Sequence, residues 1–550
     1  MGIIRCKKVK PITKVWVFDT EDNSAGTVYW INFYDGQKHY PFSSPQDAIP
    51  WLLEQSGEFW ACNLEYDLIN TFNVLLDQMC VLTYGGFGLL KATVYGKPIK
   101  FFNTLRHWPL SVEEMGVRLG YPKLPFEPTN LTYCQRDCEI TFRFVHEMLE
   151  RYNQLGMDQV GATLPSTALK FYVKRFCKVP YERHPSLDLW NRLARSRYGG
   201  RCEVFHTYPV ETTVHEYDIN SSYPSAMLIE EFPRVETVNP SVKDPDFTKG
   251  GVVCCTVKSP DQEFPVLPYK HPETRKLLFP VGVFSGTWTY PELRLAFSKG
   301  YTIEKVHDAI EYEMQPSPFA EYIRFLYDLR MSFKGKDELM VYKLKNVMNS
   351  TFGKFGEEGE LQVISRGKRH TLSQTPSHSN MIWASYILAY GRINLYKYMT
   401  LASMKGQLLY VDTDSVFVRA RQKPFGEGSK ELGKLALKGT YHYAHFKLPK
   451  LYRVDDSYKA KGVPLDKRQA DMQHLKKEFF YDGIAEFQKP YRWMESKKLH
   501  EQANVWREVT KSCNSTYDKR IMTGDGNTWP LSIDAPGVIR QVRTRRNRVA

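Results

Sequence analysis

The chain has 550 residues, which is too long for one hydrophobic core and predicts about three or four domains of ordinary size. Hydrophobic residues make up 42% and aromatic residues 14% of the chain, a composition that excludes wholesale disorder. The formal net charge of +14 favours a polyanionic partner such as nucleic acid, although a solvated basic face gives the same count. The basic residues are densest at the end of the chain, at Arg540, Arg543, Arg545, Arg546 and Arg548.

The cysteines and the apolar runs exclude other classes. The ten cysteines are scattered without the paired CxxC units of a zinc site, so reduced thiols in a cytoplasm-like compartment are expected. Met1–Lys10 carries no signal pattern, and the longest apolar run, Met381–Tyr390, is too short to span a bilayer. The sequence therefore predicts a soluble, intracellular protein that is not secreted and has no membrane partner.

From the N-terminus, about 150 residues alternate strand-like and helical runs, which predicts an α/β domain. The strand-like runs are Lys14–Phe18 and Thr27–Phe33, and the helical runs are Pro45–Glu54 and Asp137–Tyr152. A helical, polar stretch, Leu164–Arg197, then leads to a glycine pair in Tyr198-Gly199-Gly200-Arg201, which indicates a turn or a close backbone approach.

From Val214 the chain again reads as strand, turn and helix, and a helical hairpin follows further on. Between them, residues 235–300 are rich in Pro, Gly and short β-runs, which predicts an inserted β-rich module. The hairpin comprises an N-cap and first-turn proline at Ser317-Pro318, a helix to about Lys334, a turn at Gly335-Lys336-Asp337 and a second helix to about Phe352.

Two acidic residues stand two positions apart in Tyr410-Val411-Asp412-Thr413-Asp414-Ser415, between apolar, β-prone runs. A core strand has no use for two carboxylates, because burying unpaired charge is costly. The tip of a hairpin that holds a divalent cation does need hard oxygen ligands close together. The alternative is a polar β-turn, which accounts for one Asp but not for the second. The pattern therefore favours a metal site.

A second acidic candidate, Asp218, follows the strand-like run Val214–Tyr217, and a helix is predicted to start near Pro224. An Asp at a strand end beside backbone amides suits a metal and a triphosphate together. The alternative is an ordinary Asp–Asn–Ser turn or N-cap, and the segment taken alone favours that alternative.

The second helix of the hairpin carries Lys345, Asn349 and Phe352 on one face at 3.6 residues per turn. A cation, an amide and an aromatic ring on one face suit a phosphate, a base edge and a base plane. Arg330 and Lys334 on the preceding helix add two cations, which suits capture of a nucleotide triphosphate. A solvated amphipathic helix is an equally good explanation of this element alone.

These segments occur in the order of the A, B and C motifs of the family B DNA polymerases, which the chain resembles. The segments are Asp218…Tyr223, Lys345…Gly353 and Tyr410…Ser415, and the last is very close to the YxDTDS pattern. The departures are Ser222 where Leu is usual and Phe352 where Tyr is usual, and neither is a metal ligand.

The N-terminal region resembles the proofreading 3′–5′ exonuclease of the same family. Its motifs are Asp19-Thr20-Glu21 (followed here by Asp22), Asn63-Leu64-Glu65-Tyr66-Asp67 and Tyr133-Cys134-Gln135-Arg136-Asp137. Four carboxylates from three segments are what two-metal phosphodiester hydrolysis requires. The resemblance implies that Tyr133 orients the attacking water and that the metal ligands are Asp19, Glu21, Asp67 and Asp137.

Further segments resemble the protein-primed subgroup found in small linear-genome phages, adenoviruses and linear plasmids. They are Thr104-Leu105-Arg106-His107-Trp108, Lys123-Leu124-Pro125-Phe126 and Lys450-Leu451-Tyr452, which are similar to the (S/T)Lx2h, Kx2h and KxY motifs. The glycine pair carries Arg197 where the YxGG motif has Tyr, although Tyr198 adjoins it. The subgroup implies a terminal protein as primer and a host-cell cytoplasm, but priming by an ordinary 3′-OH and de novo initiation stay open.

The resemblance implies a role for each candidate residue. Asp218 and Asp414 would hold two Mg²⁺ ions, for which Mn²⁺ can substitute, and Asp412 would support them. Lys345 would donate a proton to pyrophosphate, and Tyr223 would exclude a 2′-OH. The implied nucleotide-binding residues are Ser221, Ser222, Tyr223, Arg330, Lys334, Lys345, Asn349 and Phe352. The implied DNA-binding residues are Asn63, Tyr66, Thr104, Leu105, Lys123, Tyr198, Gly199, Gly200, Tyr410, Thr413, Lys450 and Tyr452.

The implied fold is a multidomain α/β and α+β chain, in which an RNase H-like exonuclease precedes a right-hand polymerase of palm, fingers and thumb with two insertions. The division is exonuclease 1–155, connector and first palm part 156–229, β-rich insertion 230–312, fingers 313–353, second insertion 354–380, second palm part 381–475, and thumb with basic tail 476–550. The expected partners of this monomer are primer-template DNA, single-stranded DNA, dNTPs and a terminal protein, with two metal ions in each active site. The alternatives are a 3′–5′ exonuclease or a nucleic-acid-binding replication protein without polymerase activity.

Overall fold

The computed structural model describes residues 14–23, 27–72, 79–84, 89–94, 96–180, 186–229, 231–357, 360–365, 368–373, 379–463, 472–490, 506–513, 516–535 and 538–540. The basic end predicted at 541–550 lies outside these residues. None of the helices in this described part is both long and apolar enough to cross a membrane.

The N-terminal region is a sheet covered by helices, as the alternating runs predict. Its strands are β1 (Val15–Asp22), β2 (Val28–Tyr34), β3 (His39–Phe42), β4 (Glu58–Ala61), β5 (Met79–Tyr84), β6 (Leu89–Val94) and β7 (Lys97–Asn103). Its helices are α1 (Pro45–Glu54), α2 (Leu64–Phe72), α3 (Val112–Arg118) and α4 (Leu131–Gln154). Strand β4 pairs in parallel with both β1 and β7, so the carboxyl ends of these three strands share one edge.

The stretch predicted as one helical run, Leu164–Arg197, is two helices, α5 (Leu164–Arg175) and α6 (Leu187–Ala194). The helix α5 ends five residues before Pro180, whose missing N–H and fixed φ do not allow a helix to continue. Ser186 begins α6 by accepting a hydrogen bond from the backbone N–H of Leu189 at 3.1 Å.

The stretch that the sequence predicts to be β-rich forms mainly strands. Its elements follow β8 (Cys202–Val204), β9 (Val214–Ile219) and the short helix α7 (Ser222–Ala226). They are β10 (Glu231–Pro233), β11 (Gly250–Ser259), β12 (Tyr269–Lys270), β13 (Leu277–Leu278), β14 (Val281–Thr289), α8 (Tyr290–Phe297), β15 (Thr302–Tyr312) and β16 (Met314–Pro316).

The helical hairpin is α9 (Ala320–Phe333) and α10 (Glu338–Phe355), and a strand hairpin follows, β17 (Glu360–Ser365) and β18 (Lys368–Ser373). Strand β17 pairs with β5 from Gln362↔Thr83 to Ser365↔Cys80. The strand hairpin thereby extends the N-terminal sheet to the order β18-β17-β5-β6-β7-β4-β1-β2-β3 among the described residues. This pairing joins segments almost three hundred residues apart.

The rest of the chain is mainly β-structure around one long helix, α11 (Met381–Lys405). The further elements are β19 (Gln407–Asp412), β20 (Ser415–Arg419), β21 (Leu435–Tyr441), β22 (Ala444–Leu448), β23 (Leu451–Val454), β24 (Ser457–Ala460), α12 (Met472–Asp482), β25 (Ile484–Pro490), β26 (Trp506–Ser512), β27 (Arg520–Met522), β28 (Thr528–Pro530), β29 (Ser532–Ala535) and β30 (Val538–Arg540). Strands β29 and β30 join the β-rich module through β14.

The palm sheet has the order β21-β9-β20-β19-β8. The apolar run that is too short for a membrane span forms the first part of α11, where Met381–Tyr390 is buried throughout. One continuous core joins α4, α5, α9, α10 and α11, for example through Phe144, Tyr172, Tyr322, Leu344 and Trp383. The N-terminal region and the helical hairpin are therefore packed against each other.

Candidate active sites

The hairpin of β19 and β20 brings the acids of two distant segments together. Ser415 pairs with Asp412 across the hairpin and with Asp218 on β9. Ser415 therefore lies between the two segments that carry the predicted metal ligands. The Ser415 hydroxyl donates a hydrogen bond to Asp218 Oδ1 at 2.5 Å, and the Ile219 backbone N–H donates to the Asp414 carbonyl at 2.8 Å. Thr413 at the tip has a φ of 61°, a left-handed conformation that the tight turn imposes.

The electrostatics separate the roles of the three acids. Burial, reinforced by the carboxylates of Asp218 and Asp412, raises the pKa of Asp414 to about 6. Lys450 Nζ lies 2.6 Å from both carboxylate oxygens of Asp412, which pairs this acid closely with a cation. Asp218 on β9 and Asp414 in the turn between β19 and β20 offer carboxylate oxygens, which is the donor type that magnesium requires. This donor set fits a metal ion between them.

A cavity of about 440 Å³ lies over these acids and between palm and helical hairpin. The predicted nucleotide-binding residues all line it, together with Asp218 and Asp414. They are Ser221, Ser222 and Tyr223 from the palm, Arg330 and Lys334 from α9 and its end, and Lys345, Asn349 and Phe352 from α10. Helical spacing predicts that Lys345, Asn349 and Phe352 share one face of α10, and this face lines the cavity.

Tyr223 stands at the base of this cavity against Phe352, with ring centroids 4.3 Å apart. Gly391 on α11 makes room for the ring of Tyr223, because a Cβ at this glycine would lie 3.3 Å from Tyr223 Cε1. The tyrosine is thereby held in one position between a helix backbone and an aromatic ring. Phe352 keeps the flat surface that the usual Tyr of this motif provides.

The second acidic cluster lies at the shared edge of β1, β4 and β7. Asp19, Glu21 and Asp137 each offer an oxygen within 4.8 Å of the others, and Asp67 lies next to them. Burial, together with the neighbouring acids, raises the pKa of Asp19 well above its usual value. Burial and the Asp137 carboxylate raise the pKa of Glu21 to about 8. Clustered buried acids of this kind indicate a cation site.

Among the residues that the structure describes, none donates a hydrogen bond to two buried oxygens of this cluster. Thr20 donates to Asp67 Oδ1 from its backbone N–H at 3.1 Å and from its hydroxyl at 2.9 Å, whereas Asp67 Oδ2 is without a partner. Asp137 Oδ1 is also without a partner, while Lys123 Nζ binds Asp137 Oδ2. Buried carboxylate oxygens without donors fit metal ions. The residues present therefore fit the pair of ions that the motifs imply.

Lys123 and Tyr133 meet above Asp137. The Lys123 ammonium lies 4.6 Å from the centroid of the Tyr133 ring, and burial raises the pKa of Tyr133 to about 12. At the other side of the cluster, Tyr66 donates a 2.5 Å hydrogen bond to Asp22 Oδ1. Asp22 is the acid that departs from the motif pattern, so its carboxylate orients Tyr66 and does not enter the group of Asp19, Glu21 and Asp137.

The predicted DNA-binding residues divide by exposure. Asn63 and Gly199 are exposed, and Leu105, Tyr66, Lys123, Gly200, Thr413, Lys450 and Tyr452 are partly exposed. The side chains of Thr104, Tyr410 and Tyr198 are buried, at 0%, 0% and 7% exposure. Direct side-chain contact with DNA is thus not available to these three in this arrangement. Thr104 accepts two backbone hydrogen bonds through its carbonyl, and the Tyr410 hydroxyl accepts from the Lys450 N–H at 2.9 Å. These two residues position the segments around them.

Helix α10 lies between the two acidic sites. Lys343, two residues before Lys345 and on the opposite face, is 3% exposed and donates to the carbonyl of His107. Its ammonium also lies 4.4 Å from the centroid of the Trp108 ring. At the start of the helix, Arg151 Nη1 on α4 binds Asp337 at 2.9 Å. The helix that lines the cavity is therefore fixed to the N-terminal region at two points.

Sequence reasoning missed several residues of the cavity and its supports. Ser429, Lys430, Ala436 and Lys438, from the β20–β21 connection and β21, line the cavity, as does Tyr327 on α9. These residues belong to no motif; only the four that follow the YxDTDS segment could have been found, from their spacing after it.

Arg392 was also missed, because a lone Arg within an apolar helix has no local signal. Its Nη1 donates to the carbonyls of Tyr198 and Gly199, the latter at 3.1 Å. Its Nε donates to Glu292 Oε1 at 2.8 Å.

Two curated proteins are similar to this chain in sequence. The chain is 28% identical over 374 residues to a probable DNA polymerase of Ascobolus immersus, covering 60% of this chain and 30% of that protein. It is 26% identical over 369 residues to a probable DNA polymerase of Neurospora intermedia, covering 58% of this chain and 37% of that protein. The chain thus spans about a third of the length of these relatives.

The fold is similar to that of Phi29 DNA polymerase complexed with primer-template DNA and incoming nucleotide substrates. The TM-score is 0.69 at 16% identity, and the match covers 91% of this chain and 99% of that chain. The match includes the exonuclease, palm, fingers and thumb arrangement, so the fold class expected from the sequence is confirmed.

Residues 115–386 match the family described as DNA polymerase type B, organellar and viral. That range runs from α3 to the first turns of α11 and contains the segments of Asp137, Asp218 and Lys345. With the family match, the relatives and the shared fold in agreement, this chain belongs to the type B DNA polymerases of organellar and viral kind.

Proposed function

We propose that this chain is a template-directed DNA polymerase that also carries a 3′–5′ exonuclease. The observation that supports the polymerase most directly is the cavity in which Asp218 and Asp414 face the cations of α9 and α10. Acids alone would suit many metal sites, and cations alone would suit any anion. Their combination around one cavity suits a metal-bound nucleotide triphosphate.

In synthesis, Asp218 and Asp414 would hold two magnesium ions, which lower the pKa of the primer 3′-hydroxyl and stabilise the in-line displacement at the α-phosphate. Lys345, Arg330 and Lys334 bind the triphosphate, and Lys345 donates a proton to the departing pyrophosphate. Lys450 neutralises Asp412, which leaves that acid as a support of the hairpin.

Substrate selection is assigned to the aromatic pair. Tyr223 lies under the sugar and excludes a 2′-OH, while Phe352 and Asn349 meet the nascent base pair. Because Gly391 and Phe352 confine the Tyr223 ring, the ring cannot move aside for a larger sugar.

In the exonuclease, Asp19, Glu21, Asp67 and Asp137 would hold two ions that activate water and stabilise the leaving oxygen. Tyr133 orients the attacking water, and Lys123 holds Asp137. Asn63, Tyr66 and Leu105 guide the frayed primer end by stacking and phosphate contacts.

The polymerase is tested by Asp414→Ala in the full chain. We expect this variant to lose nucleotide incorporation on a primer-template while it still degrades single strands. The exposed Asp244→Ala is the matched control and should retain both activities. Incorporation by Asp414→Ala would show that the metal-site assignment is wrong.

The exonuclease is tested by the double variant Asp19→Ala, Glu21→Ala. It should extend primers but lose 3′–5′ digestion of a labelled single strand, since two of its four metal ligands are gone. Undiminished digestion by the double variant would refute the assignment.

We also propose that synthesis starts on a terminal protein. The family match and the β-rich module and strand hairpin at the places of the two insertions support this step. A hydroxyl of the terminal protein would attack the α-phosphate of the first dNTP, forming a phosphoester and releasing pyrophosphate. The test is incubation with labelled dATP, magnesium and a candidate terminal protein, with Asp414→Ala as the control. Label on the protein supports the proposal, and its absence from a preparation that extends DNA primers contradicts it for that protein.

A further inference from the structure

The nucleotide cavity has a third wall besides the palm motifs and the helical hairpin. It is formed by the β20–β21 connection and the first half of β21, which contribute Ser429, Lys430, Ala436 and Lys438 to the lining. We call the segment Ser429–Lys438 the palm wall. It adds two cations to a cavity that already has three on the fingers side, and it faces the same two acids.

The palm wall is fixed to the segment that carries Asp218. Asn220 Nδ2 donates to the Ser429 carbonyl at 2.5 Å, and the Asn220 backbone N–H donates to the Lys434 carbonyl at 2.9 Å. The Gly433 N–H returns a hydrogen bond to the Asn220 carbonyl at 2.8 Å. Because these bonds hold both the start and the end of the connection, the wall keeps its distance from Asp218.

The register of β21 directs Lys438 toward the acids. Ala436 pairs with Asp218, and the pairing with β9 shifts between Leu437 and Gly439, so Lys438 is the additional residue of a β-bulge. Its ammonium lies 3.7 Å from Asp218 Oδ2. A bulge at this position re-aims one side chain into the cavity without ending the strand.

The palm wall is also joined to the fingers. Tyr327 on α9 donates a 2.6 Å hydrogen bond from its hydroxyl to the carbonyl of Lys430. Tyr327 lies one turn before Arg330 on the same helix, and both line the cavity. This bond therefore sets the spacing between the fingers cations and the palm wall.

We propose that the palm wall is the second half of a triphosphate clamp, in which Lys430 and Lys438 bind the β- and γ-phosphates and the Tyr327 hydroxyl holds the fingers cations opposite them. The proposal rests on the proposed polymerase function. A triphosphate between two sets of cations is bound from both sides, so each set lowers the KM for the nucleotide. Before a metal-bound nucleotide binds, the Lys438 ammonium lies next to the Asp218 carboxylate.

The first test is Lys438→Met in the full chain that carries Asp19→Ala and Glu21→Ala, so that only incorporation is measured. We expect the KM for dNTP to rise about tenfold, the effect of losing a charged hydrogen bond, with kcat changed by less than about twofold. The KM for pyrophosphate in the reverse reaction should rise in parallel, because the same phosphates are bound. Lys434→Met is the matched control, since only the backbone carbonyl of Lys434 takes part in the palm wall, and its exposed side chain does not line the cavity.

The second test is Tyr327→Phe, which removes only the hydroxyl. We expect the KM for dNTP to rise about threefold to tenfold with an unchanged thermal midpoint, because one neutral hydrogen bond is lost. A second change at the palm wall, Lys438→Met in the Tyr327→Phe protein, should add less than its effect alone, since both act on one clamp.

Three outcomes overturn the clamp. Unchanged dNTP and pyrophosphate KM values in Lys438→Met would remove this residue from phosphate binding. A shift in the magnesium requirement alone would assign Lys438 to Asp218 and not to the nucleotide. An equal loss in Lys434→Met would indicate a general charge effect. If the parent protein incorporates no nucleotide at all, the proposed polymerase function fails, which is distinct from failure of the clamp.

Discussion

Replacing Arg392 with Met leaves the buried carboxylate of Glu292 without its ion-pair partner. Arg392 and Glu292 are 4% and 2% exposed, and Arg392 Nε donates to Glu292 Oε1 at 2.8 Å. Removing one partner of such a pair leaves an uncompensated charge, which costs about 3–5 kcal/mol. Solvent does not screen this pair, so the full range applies. For a cooperative unit of 150–250 residues, the loss corresponds to a fall of about 6–20 °C in the thermal midpoint.

A second change distinguishes two effects of Arg392→Met: the unpaired charge of Glu292 and the loss of hydrogen bonds to the carbonyls of Tyr198 and Gly199. Glu292→Gln in the Arg392→Met protein removes the buried charge. The Thr289 hydroxyl, which donates to Glu292 Oε2 at 3.0 Å in the parent protein, can still donate to the glutamine side chain. We expect this double variant to recover more than half of the lost thermal midpoint. The carbonyls of Tyr198 and Gly199 still lack their donor in the double variant, so the effect on primer extension should remain.

The assay has two readouts. Thermal unfolding followed by fluorescence measures the stability, and a dNTP titration on a labelled primer-template measures the concentration at which extension overtakes degradation. That concentration should rise in both variants, because Gly200 packs directly on Thr413 of the metal hairpin. The reasoning is refuted if Arg392→Met melts like the parent protein, or if the double variant melts as low as the single one.

Two further predictions concern the active sites. Tyr223→Val should raise ribonucleotide incorporation by about 10- to 100-fold, because it removes a clash of about 1–3 kcal/mol with the 2′-OH; unchanged discrimination in single-nucleotide assays would exclude Tyr223 as the gate. Lys123→Met should lower single-strand degradation by at least about tenfold, since the charged hydrogen bond to Asp137 is lost; primer extension serves as the internal control, and a parallel loss of extension would indicate misfolding instead.

The metal acids were accessible from sequence because each belongs to a short segment with its own chemical reason. Two carboxylates in an apolar hairpin, as at Asp412 and Asp414, already predict a cation, and the strand pairing of Ser415 with Asp218 then follows from the fold. Spacing on a helix was enough to predict that Lys345, Asn349 and Phe352 share a face. The distinct role of Asp412 required the structure, since only there does Lys450 meet it.

The rest depends on contacts between segments that are far apart in the chain. Lys438 enters the cavity through a strand bulge, and Tyr327 meets the backbone of Lys430 across two elements, so neither has a local signal. The burial of individual side chains could not be predicted from the sequence either. Thr104 and Tyr410 lie in motifs associated with DNA binding, yet their side chains are buried. The break between α5 and α6 does have a local signal, because Pro180 between them disfavours one continuous helix.

The pairing of β17 with β5 has a consequence for dividing the chain. A fragment that stops near residue 155 would retain β5 and lose the strand that covers its outer edge. The peptide groups of β5 that now bind β17 would then be open to another molecule, and we expect such a fragment to self-associate. A fragment designed to carry the proposed exonuclease would have to include β17 and β18, joined by a short linker, although this hairpin follows the N-terminal region by more than two hundred residues. The N-terminal sheet is therefore continuous in space, but its strands are not contiguous along the chain.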